Sequence, residues 1–483
     1  QRFLFEYFSK GIEFPALDAP LVSEDLPRAD VVAYSIDDSE TTEIDDALSV
    51  QGLGTGVVTL GIHIAAPGLA LKPGEALDTL ARARLSTVYM PGQKITMLPD
   101  AVVQRYTLAE GQDCPAVSLY VRFDESTLAV IEHHTRLERV PIGANMRHDL
   151  LDAGVTPEWL QDPEVPWGLQ TPPPAMPKEP LSWLYRLALH LKQQREQVRG
   201  KPEQFNRPDY TFRVLGIEAG GIQGHEPVEI TTRRRGAPLD LMVAEAMILA
   251  NSTWGQWMSE LGVPAIYRSQ ASLLPGVKVR MGTKVLPHAG IGVPSYAWST
   301  SPLRRYTDLV NQWQIVACAQ HGSTAALAAP FKPKDADLFA IISAFDTAYT
   351  TYNGYQNSME RFWTLQHVRQ RGLREIEATV FKCFPGQPPM ARADSLPLVL
   401  PVLGAAGSDI TRGSRVLLQL SEPDDITLDI QGQLLKVLED SQVTPGATDA
   451  LPEDSDDDGA GPLTIAVDVD AVDVVDTPVT ATP

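Results

Sequence analysis

Six acidic residues lie within ten positions near the start of the chain, and four of them, at Asp37, Glu43, Asp45 and Asp46, have a spacing that could do chemistry. So many like charges repel one another unless a cation lies between them, and Mg²⁺ is a hard ion that takes oxygen ligands while keeping bound water. Asp45 and Asp46 are adjacent, so a regular strand would send them to opposite faces. We therefore predict a loop that leads into a strand and gathers the four side chains at a magnesium site.

Spacing alone leaves two simpler interpretations open, a solvated acidic loop and a calcium-binding loop. A calcium-binding loop of the EF-hand type would need a central Gly and a Glu at its twelfth position. The segment that begins at Asp37 has neither residue. The solvated loop is not distinguished from a metal site by spacing.

The composition describes a chain with a large core and no sign of secretion. It has 483 residues, 43% of them hydrophobic, which is enough for more than one domain. We find no apolar run of membrane-spanning length and no signal peptide, so we expect no membrane association. The cysteines form no metal-binding or disulfide pattern, so we expect a reducing cytoplasm and a buried, unreactive role for each. They are Cys114, Cys318 and Cys383.

The negative charge is unevenly distributed along the chain. The formal net charge is −21, and residues 441–483 contribute ten acidic residues with no Lys or Arg, which leaves −11 for the remainder. Arginines cluster at 233–235, at 304–305 and between 361 and 374. This distribution suits a positive channel for nucleic acid inside an acidic shell. Scattered surface arginines are the alternative.

The hydrophobic pattern predicts a mixed α/β region followed by a small β domain. Short β-branched runs are predicted as strands at 31–36, 57–64, 117–123 and 128–133. Apolar periodicity predicts helices at 74–85, 181–198, 239–261, 304–321 and 335–368, the last as one helix or two. From residue 374 the pattern changes to strands at 375–384, 396–403, 414–418 and 426–430, which suggest a small antiparallel barrel.

Several short motifs occur in order along residues 31–375. They are YSIDD through DDAL at 34–48, GIHIA at 61–65, TVYMPG and MLP at 87–99, RPDYTF at 207–212, VAEAM through AN at 243–251, and TSPLRRY at 300–306. Together they resemble the catalytic domain of the ribonuclease II / ribonuclease R family, called RNB. The last, TSPLRRY followed by Asp308, is the most specific of them.

The resemblance implies an α+β fold in which a mixed sheet is surrounded by helices. Residues 1–30 would be a lead segment and residues 31–373 the RNB catalytic domain. Residues 374–440 would form an OB-type RNA-binding barrel. A disordered acidic tail would occupy residues 441–483.

The resemblance also implies roles for the acidic cluster and for residues that are distant from it in sequence. Asp37, Glu43, Asp45 and Asp46 would bind Mg²⁺, although the family has Asp where this chain has Glu43. Asp45 and Arg304 would be catalytic, with Glu360 in the wall of the site. The guanidinium would lie against the scissile phosphate. Candidate RNA-binding residues are Tyr89, Phe212, His148 and Arg305, with His148 in the place of a family Tyr.

The function implied is a processive, magnesium-dependent 3′-to-5′ exoribonuclease that converts single-stranded RNA to nucleoside 5′-monophosphates. We expect it to act as a monomer. A catalytically weak or inactive RNB-like RNA-binding protein is the main alternative. Exonucleases with four dispersed acidic residues fit less well, because the carboxylates here are clustered. His63, in an apolar strand, is predicted to be a core histidine rather than a metal ligand.

Overall fold

The computed structural model describes residues 2–9, 11–22, 25–203, 209–217, 221–233, 236–274, 277–384, 386–405, 410–438 and 464–465. Its strands are β1 (Ala33–Asp37), β2 (Asp46–Gln51), β3 (Val57–Ala65), β4 (Val88–Met90), β5 (Gln93–Ile95), β6 (Asp113–Asp124), β7 (Val130–Arg147), β8 (Asp209–Val214), β9 (Val228–Arg233), β10 (Tyr267–Ser269), β11 (Arg280–Gly282), β12 (Glu375–Lys382), β13 (Met390–Ala393), β14 (Val399–Leu403), β15 (Arg415–Leu420), β16 (Gly432–Val437) and β17 (Thr464–Ile465).

The helices pack around the strands of the larger, N-terminal part of the chain. They are α1 (Arg2–Tyr7), α2 (Ala76–Arg84), α3 (Asp100–Tyr106), α4 (His148–Leu151), α5 (Pro157–Gln161), α6 (Lys178–Arg199), α7 (Pro238–Glu260), α8 (Tyr306–His321), α9 (Ala325–Ala328) and α10 (Ala336–Gln370). None of the helices in the described ranges is both long and apolar enough to cross a bilayer.

Five strands form a first closed barrel in the order β1-β2-β3-β6-β7. Its neighbours are antiparallel except β1 and β7, whose parallel pairing closes the barrel. Asp37 is the last residue of β1 and Asp46 the first of β2. The prediction that a strand begins at the paired aspartates is therefore confirmed. The sheet expected among the helices is present, and it closes on itself.

The long helices cover this barrel with apolar faces. The amphipathic helix predicted at 181–198 is α6, and the helix predicted at 335–368 is the single 35-residue α10. The helix predicted from residue 304 begins instead at Tyr306. Arg304 consequently lies in a turn ahead of α8, where the amide of Arg304 donates to the Ser301 carbonyl at 3.2 Å.

A second closed barrel follows α10 in the order β12-β13-β14-β16-β15. Its interior is aliphatic and includes Ala378, Leu400 and Leu418, which are fully buried. The strand predicted at 426–430 is wrong, because this segment is a turn. Asp424 Oδ1 accepts from the amides of Ile426 and Thr427, which gives those amides a partner outside the strand ladder.

Three further sequence expectations concern the lead segment, the acidic tail and the cysteines. Phe3, in the lead segment, stacks on Tyr355 of α10 with ring centroids 3.9 Å apart. The acidic tail predicted at 441–483 lies outside the described residues, apart from β17, which pairs with β11. Cys114 and Cys318 are buried as predicted, whereas Cys383 is exposed, so that prediction was wrong.

Candidate active site

A polar cavity of about 640 Å³ opens beside the loop between β1 and β2. The β4–β5 hairpin, β8 and the turn before α8 supply its other walls. The cavity brings together most of the residues predicted for the site, although they are far apart in sequence. These residues are Asp37, Glu43, Asp45, Asp46, Tyr89, Phe212 and Arg304.

Asp45 is a buried carboxylate of the cavity, with a side chain that is 4% exposed. Asp45 Oδ1 accepts the backbone amide of Leu303 at 2.9 Å, and Oδ2 lies 3.5 Å from Arg304 Nε. Oδ2 has no hydrogen-bond partner among the described residues. Burial raises the pKa of Asp45 well above its usual range, and the Arg304 charge opposes that rise.

Asp37, at the end of β1, has an incompletely bonded carboxylate like that of Asp45. Its buried Oδ2 has no hydrogen-bond partner within the described part of the chain. Burial raises the pKa of Asp37, while a hydrogen bond from Ser35 and the charge of Arg147 lower it. A divalent cation would compensate such buried carboxylates, and an all-oxygen donor set suits Mg²⁺. The residues present therefore fit a hard divalent ion.

Glu43 lies in the same cavity, but its carboxylate already has donors on both oxygens. Thr87 Oγ1 donates to Oε1 at 3.1 Å, and the Tyr89 hydroxyl donates to Oε2 at 3.0 Å. Lys94 Nζ forms an ion pair with Oε2 at 2.9 Å. Sequence reasoning placed Glu43 among the metal ligands, and the structure instead pairs it with a side-chain cation.

Tyr89 presents an aromatic face to the cavity and inserts its hydroxyl among the carboxylates. The residue is 41% exposed, whereas burial of the phenol raises the pKa of Tyr89 well above its usual range. Its backbone amide donates to Gln356 Oε1 of α10 at 2.8 Å. Phe212 of β8 lines the same space. The two aromatic residues predicted to contact RNA therefore share one cavity.

Arg304 is positioned by the turn that precedes α8. Its guanidinium donates to Ser301 Oγ at 2.9 Å and faces Asp45. The Arg304 carbonyl accepts from the Thr87 amide at 2.9 Å, which joins this turn to the segment that contains Tyr89. Both the charge and the backbone of Arg304 are thus fixed at the edge of the cavity.

Unlike Arg304, Arg305 does not line the cavity. The structure gives it a structural role in place of the predicted RNA contact. Its side chain is 3% exposed and bonds Asp308 Oδ1 at 2.9 Å. The guanidinium carbon lies 4.2 Å from the ring centroid of Trp298. A buried cation with these partners stabilises the turn instead of meeting solvent or phosphate.

Glu360 and His148 do not line the cavity. Glu360 is exposed on α10, one helical turn after Gln356, so both project from the same face. His148 begins α4, and its ring lies near the Asp38 and Asp149 carboxylates, with donor atoms within 4.8 Å of one another. Their catalytic and RNA-binding roles stay predictions.

Sequence reasoning missed Thr87 and Lys94. A signal for Lys94 exists, because Pro91 and Gly92 form the turn of a short hairpin that places Tyr89 directly opposite Lys94. Residues paired across a hairpin project to the same face. The prediction for His63 is confirmed: the buried ring bridges Ser49 Oγ and Ser118 Oγ, each at 2.8 Å.

Two curated relatives are similar in sequence to most of this chain. An uncharacterized ribonuclease of Synechocystis is 27% identical over 394 residues, covering 74% of this chain and 53% of that protein. Exoribonuclease 2 of Proteus mirabilis is 26% identical over 388 residues, covering 68% of this chain and 56% of that protein. The chain thus spans about half the length of the curated relatives it matches.

Two solved structures share the fold. RNase R of Mycoplasma genitalium, in complex with ribose-methylated single-stranded RNA, superposes with a TM-score of 0.68 at 14% identity, covering 90% of this chain and 75% of that one. Yeast Ssd1, a pseudonuclease, gives a TM-score of 0.57 at 15% identity, covering 79% of this chain and 51% of that one.

The sequence profile of the RNB domain matches residues 27–274 and 272–321, which is more than half of the chain. The matched residues contain the first barrel, the carboxylate loop and the turn that carries Arg304. Together with the shared fold, this match establishes that the chain belongs to the RNB domain family, the family of ribonuclease II and ribonuclease R.

Proposed function

We propose that this chain is a processive, magnesium-dependent 3′-to-5′ exoribonuclease that hydrolyses single-stranded RNA to nucleoside 5′-monophosphates. The observation that carries the proposal is the cavity in which buried, incompletely bonded carboxylates meet a fixed arginine. Asp37 and Asp45 supply those carboxylates and Arg304 supplies the guanidinium. Family membership and a relative named exoribonuclease 2 support the same reaction.

Asp37, Asp45 and Asp46 are the residues that would hold the metal. A bound divalent ion supplies a nucleophilic water at neutral pH and stabilises charge on the phosphate and the leaving oxygen. The Leu303 amide fixes the orientation of the Asp45 carboxylate by bonding Oδ1, which leaves Oδ2 facing the cavity.

Arg304 would bind the scissile phosphate. A guanidinium is planar and always charged, so it can donate to non-bridging phosphate oxygens while it is held from behind. Ser301 Oγ and Asp45 Oδ2 provide that support at 2.9 and 3.5 Å. Because the contact is formed before substrate arrives, little reorganisation is needed during the reaction.

Tyr89 and Phe212 would stack against the last bases of the strand. Aromatic faces accept every base, which accounts for degradation without sequence preference. The cavity is lined by both rings and by the carboxylate loop, so bases stacked on the rings would lie beside the metal ligands. Stacking of the terminal bases there would favour attack at a terminal linkage and release of one nucleotide in each cycle.

The alternative is an RNB-like protein that binds RNA without cleaving it. The fold shared with a yeast pseudonuclease gives this alternative a basis. The presence of Asp37, Asp45, Asp46 and Arg304 around one cavity favours catalysis.

The deciding experiment follows two labels on one single-stranded oligomer incubated with the purified chain and Mg²⁺. A 3′ label should appear immediately as nucleoside 5′-monophosphate, and a 5′ label should stay in progressively shorter products. A chelator should stop both changes, and added Mg²⁺ should restore them. RNA binding without any cleavage would establish the alternative instead.

A further inference from the structure

The ion pair between Lys94 and Glu43 sets Glu43 apart from the other carboxylates of the cavity. The Glu43 side chain is 2% exposed, and Lys94 Nζ lies 2.9 Å from its Oε2. Lys94 Nζ also donates to Thr42 Oγ1 at 2.6 Å, a neighbour of Glu43 in the same loop. The ammonium is therefore anchored to this loop at two points.

Three donors fill most of the acceptor positions of Glu43. A carboxylate offers about four acceptor positions. Thr87 and Tyr89 take two of them, and Lys94 takes a third. Thr87 and Tyr89 donate as neutral groups, so Lys94 supplies the compensating positive charge. Glu43 is thereby satisfied without a metal ion.

Asp37 and Asp45 differ from Glu43 in this respect. Each has a buried oxygen that no hydrogen bond satisfies within the described ranges. The demand for a cation is therefore concentrated on the Asp37 and Asp45 side of the cavity. Two catalytic metal ions in one site usually lie about 3.5–4 Å apart and share carboxylates. An ion placed on Glu43 would meet the Lys94 ammonium at contact distance, and the two positive charges would repel each other.

We propose that the Lys94 ammonium takes the place of a second metal ion, so that this centre binds a single divalent cation. The proposal rests on the proposed function, because it concerns the charge balance of the same site. Lys94 acts here as a positioning residue that holds Glu43, and through Glu43 the hydroxyl of Tyr89.

The hairpin geometry explains how the chain delivers this charge. Lys94 of β5 pairs directly with Tyr89 of β4, so both side chains extend from one face toward the carboxylate loop. The same hairpin thus supplies an aromatic contact for RNA and a cation for Glu43. A lysine that faced solvent would leave the Glu43 carboxylate without this side-chain cation.

The experiment counts bound Mn²⁺ ions by calorimetry and electron paramagnetic resonance on the full chain. It is performed with and without a short oligonucleotide whose terminal linkage cannot be cleaved. Wild type should bind one ion in both conditions. Lys94→Met removes the charge and keeps most of the volume, so it should bind two ions. Lys94→Arg keeps the charge and should bind one.

Lys382→Met is the matched control, because Lys382 lies in the second barrel beside Phe384 and away from the cavity. It should bind one ion, as wild type does. Two ions in the wild type would overturn the proposal, and so would a single ion in a folded Lys94→Met variant. If Lys94→Met does not fold, the wild-type count decides.

The outcome distinguishes this inference from the function on which it rests. Two bound ions with normal release of nucleotides would refute the role of Lys94 and leave the exoribonuclease intact. No bound ion and no hydrolysis would refute the proposed function itself.

Discussion

The two barrels of this chain have a common plan and very different contents. Each has five strands, and each contains one parallel pair, β1 with β7 in the first and β14 with β16 in the second. The first contains the buried His63 and carries the carboxylate loop at one end. The second is filled by aliphatic side chains such as Leu418.

The difference shows that the candidate site depends on the loop, hairpin and turn that adjoin the first barrel and not on the arrangement of the barrel strands. In the first barrel, the β1–β2 loop meets a hairpin and the turn before α8 around one cavity. In the described residues of the second barrel, no buried side-chain oxygen of an acidic residue lacks a hydrogen bond. Variants of residues that line this cavity should therefore change catalysis, and variants in the interior of the second barrel should change stability.

The largest effect is expected for Asp45→Asn. The substitution removes the charge but keeps an oxygen that can accept the Leu303 amide, so the fold should be retained. Turnover should fall by more than the roughly 10²–10³ that one lost charge contact costs. Single-turnover rates and RNA affinity should be measured together. Wild-type turnover would show that the first barrel is not the catalytic region.

Arg304→Ala should follow, with a loss of about 10²–10³ in turnover at saturating RNA, because a preorganised charge donor is removed. Arg305→Lys is the comparison for a neighbouring arginine that does not line the cavity. It should change melting temperature and leave the rate nearly unaffected. If Arg304→Ala weakened only RNA affinity, the guanidinium would be a binding group without a catalytic role.

Leu418→Ala should reverse this pattern in the second barrel. Leu418 is fully buried, and truncating such a side chain costs about 2–5 kcal/mol in the free energy of unfolding. Denaturant titration should show that loss, while turnover on a short oligomer stays near wild type at temperatures where the variant is folded. A strong loss of turnover there would mean that the second barrel supports the cavity.

Tyr89→Ala tests the aromatic wall of the cavity. It removes stacking worth about 1–3 kcal/mol per base, so short remnants should be held less well and the limit fragment should lengthen. Bulk RNA should still be degraded, because Asp45 and Arg304 are unchanged. Gel-resolved products of one 5′-labelled oligomer would show the change. Tyr89→Phe keeps the ring and loses only the bond to Glu43, so its limit fragment should match wild type.

The smallest effect concerns the buried histidine of the first barrel. Burial lowers the pKa of His63 from 6.5 to about 3. Above pH 6.5 the ring is neutral in both states. As pH falls below 6.5 the unfolded chain takes up a proton that the folded one does not, so stability declines by at most about 1.4 kcal/mol per pH unit until pH 3. Comparing the pH slopes of unfolding for wild type and His63→Gln should reveal this contribution. Equal slopes would contradict it.

The sequence predicted the parts of the site that are close together along the chain. The acidic residues between Asp37 and Asp46 fall in one loop, and their repulsion signals a shared cation. The resemblance to a family added Tyr89, Phe212 and Arg304, which lie in separate elements. The helices α6 and α7 were predicted within a few residues, because their apolar periodicity is strong.

Local patterns failed where a distant partner decides the outcome. The spacing of the carboxylates gave no sign that Lys94, 51 residues away, pairs with Glu43, whose role as a metal ligand stays a prediction. The sequence placed Arg305 in a basic cluster with Arg304, whereas in the structure its side chain is enclosed by Trp298 and Asp308. Residues 426–430 looked like a strand, and the bonds from their amides to Asp424 form a turn instead.

The hydrogen bond from Leu303 to Asp45 joins residues 258 positions apart, which has a consequence for biosynthesis. A ribosome makes the chain from its N-terminus, so the acidic loop emerges long before Leu303 and Arg304 do. A nascent chain that stops short of this turn carries the carboxylates of the loop and lacks both the Leu303 amide that bonds Asp45 and the Arg304 guanidinium. The orientation of Asp45 by this bond can therefore be completed only after residue 303 has been synthesised.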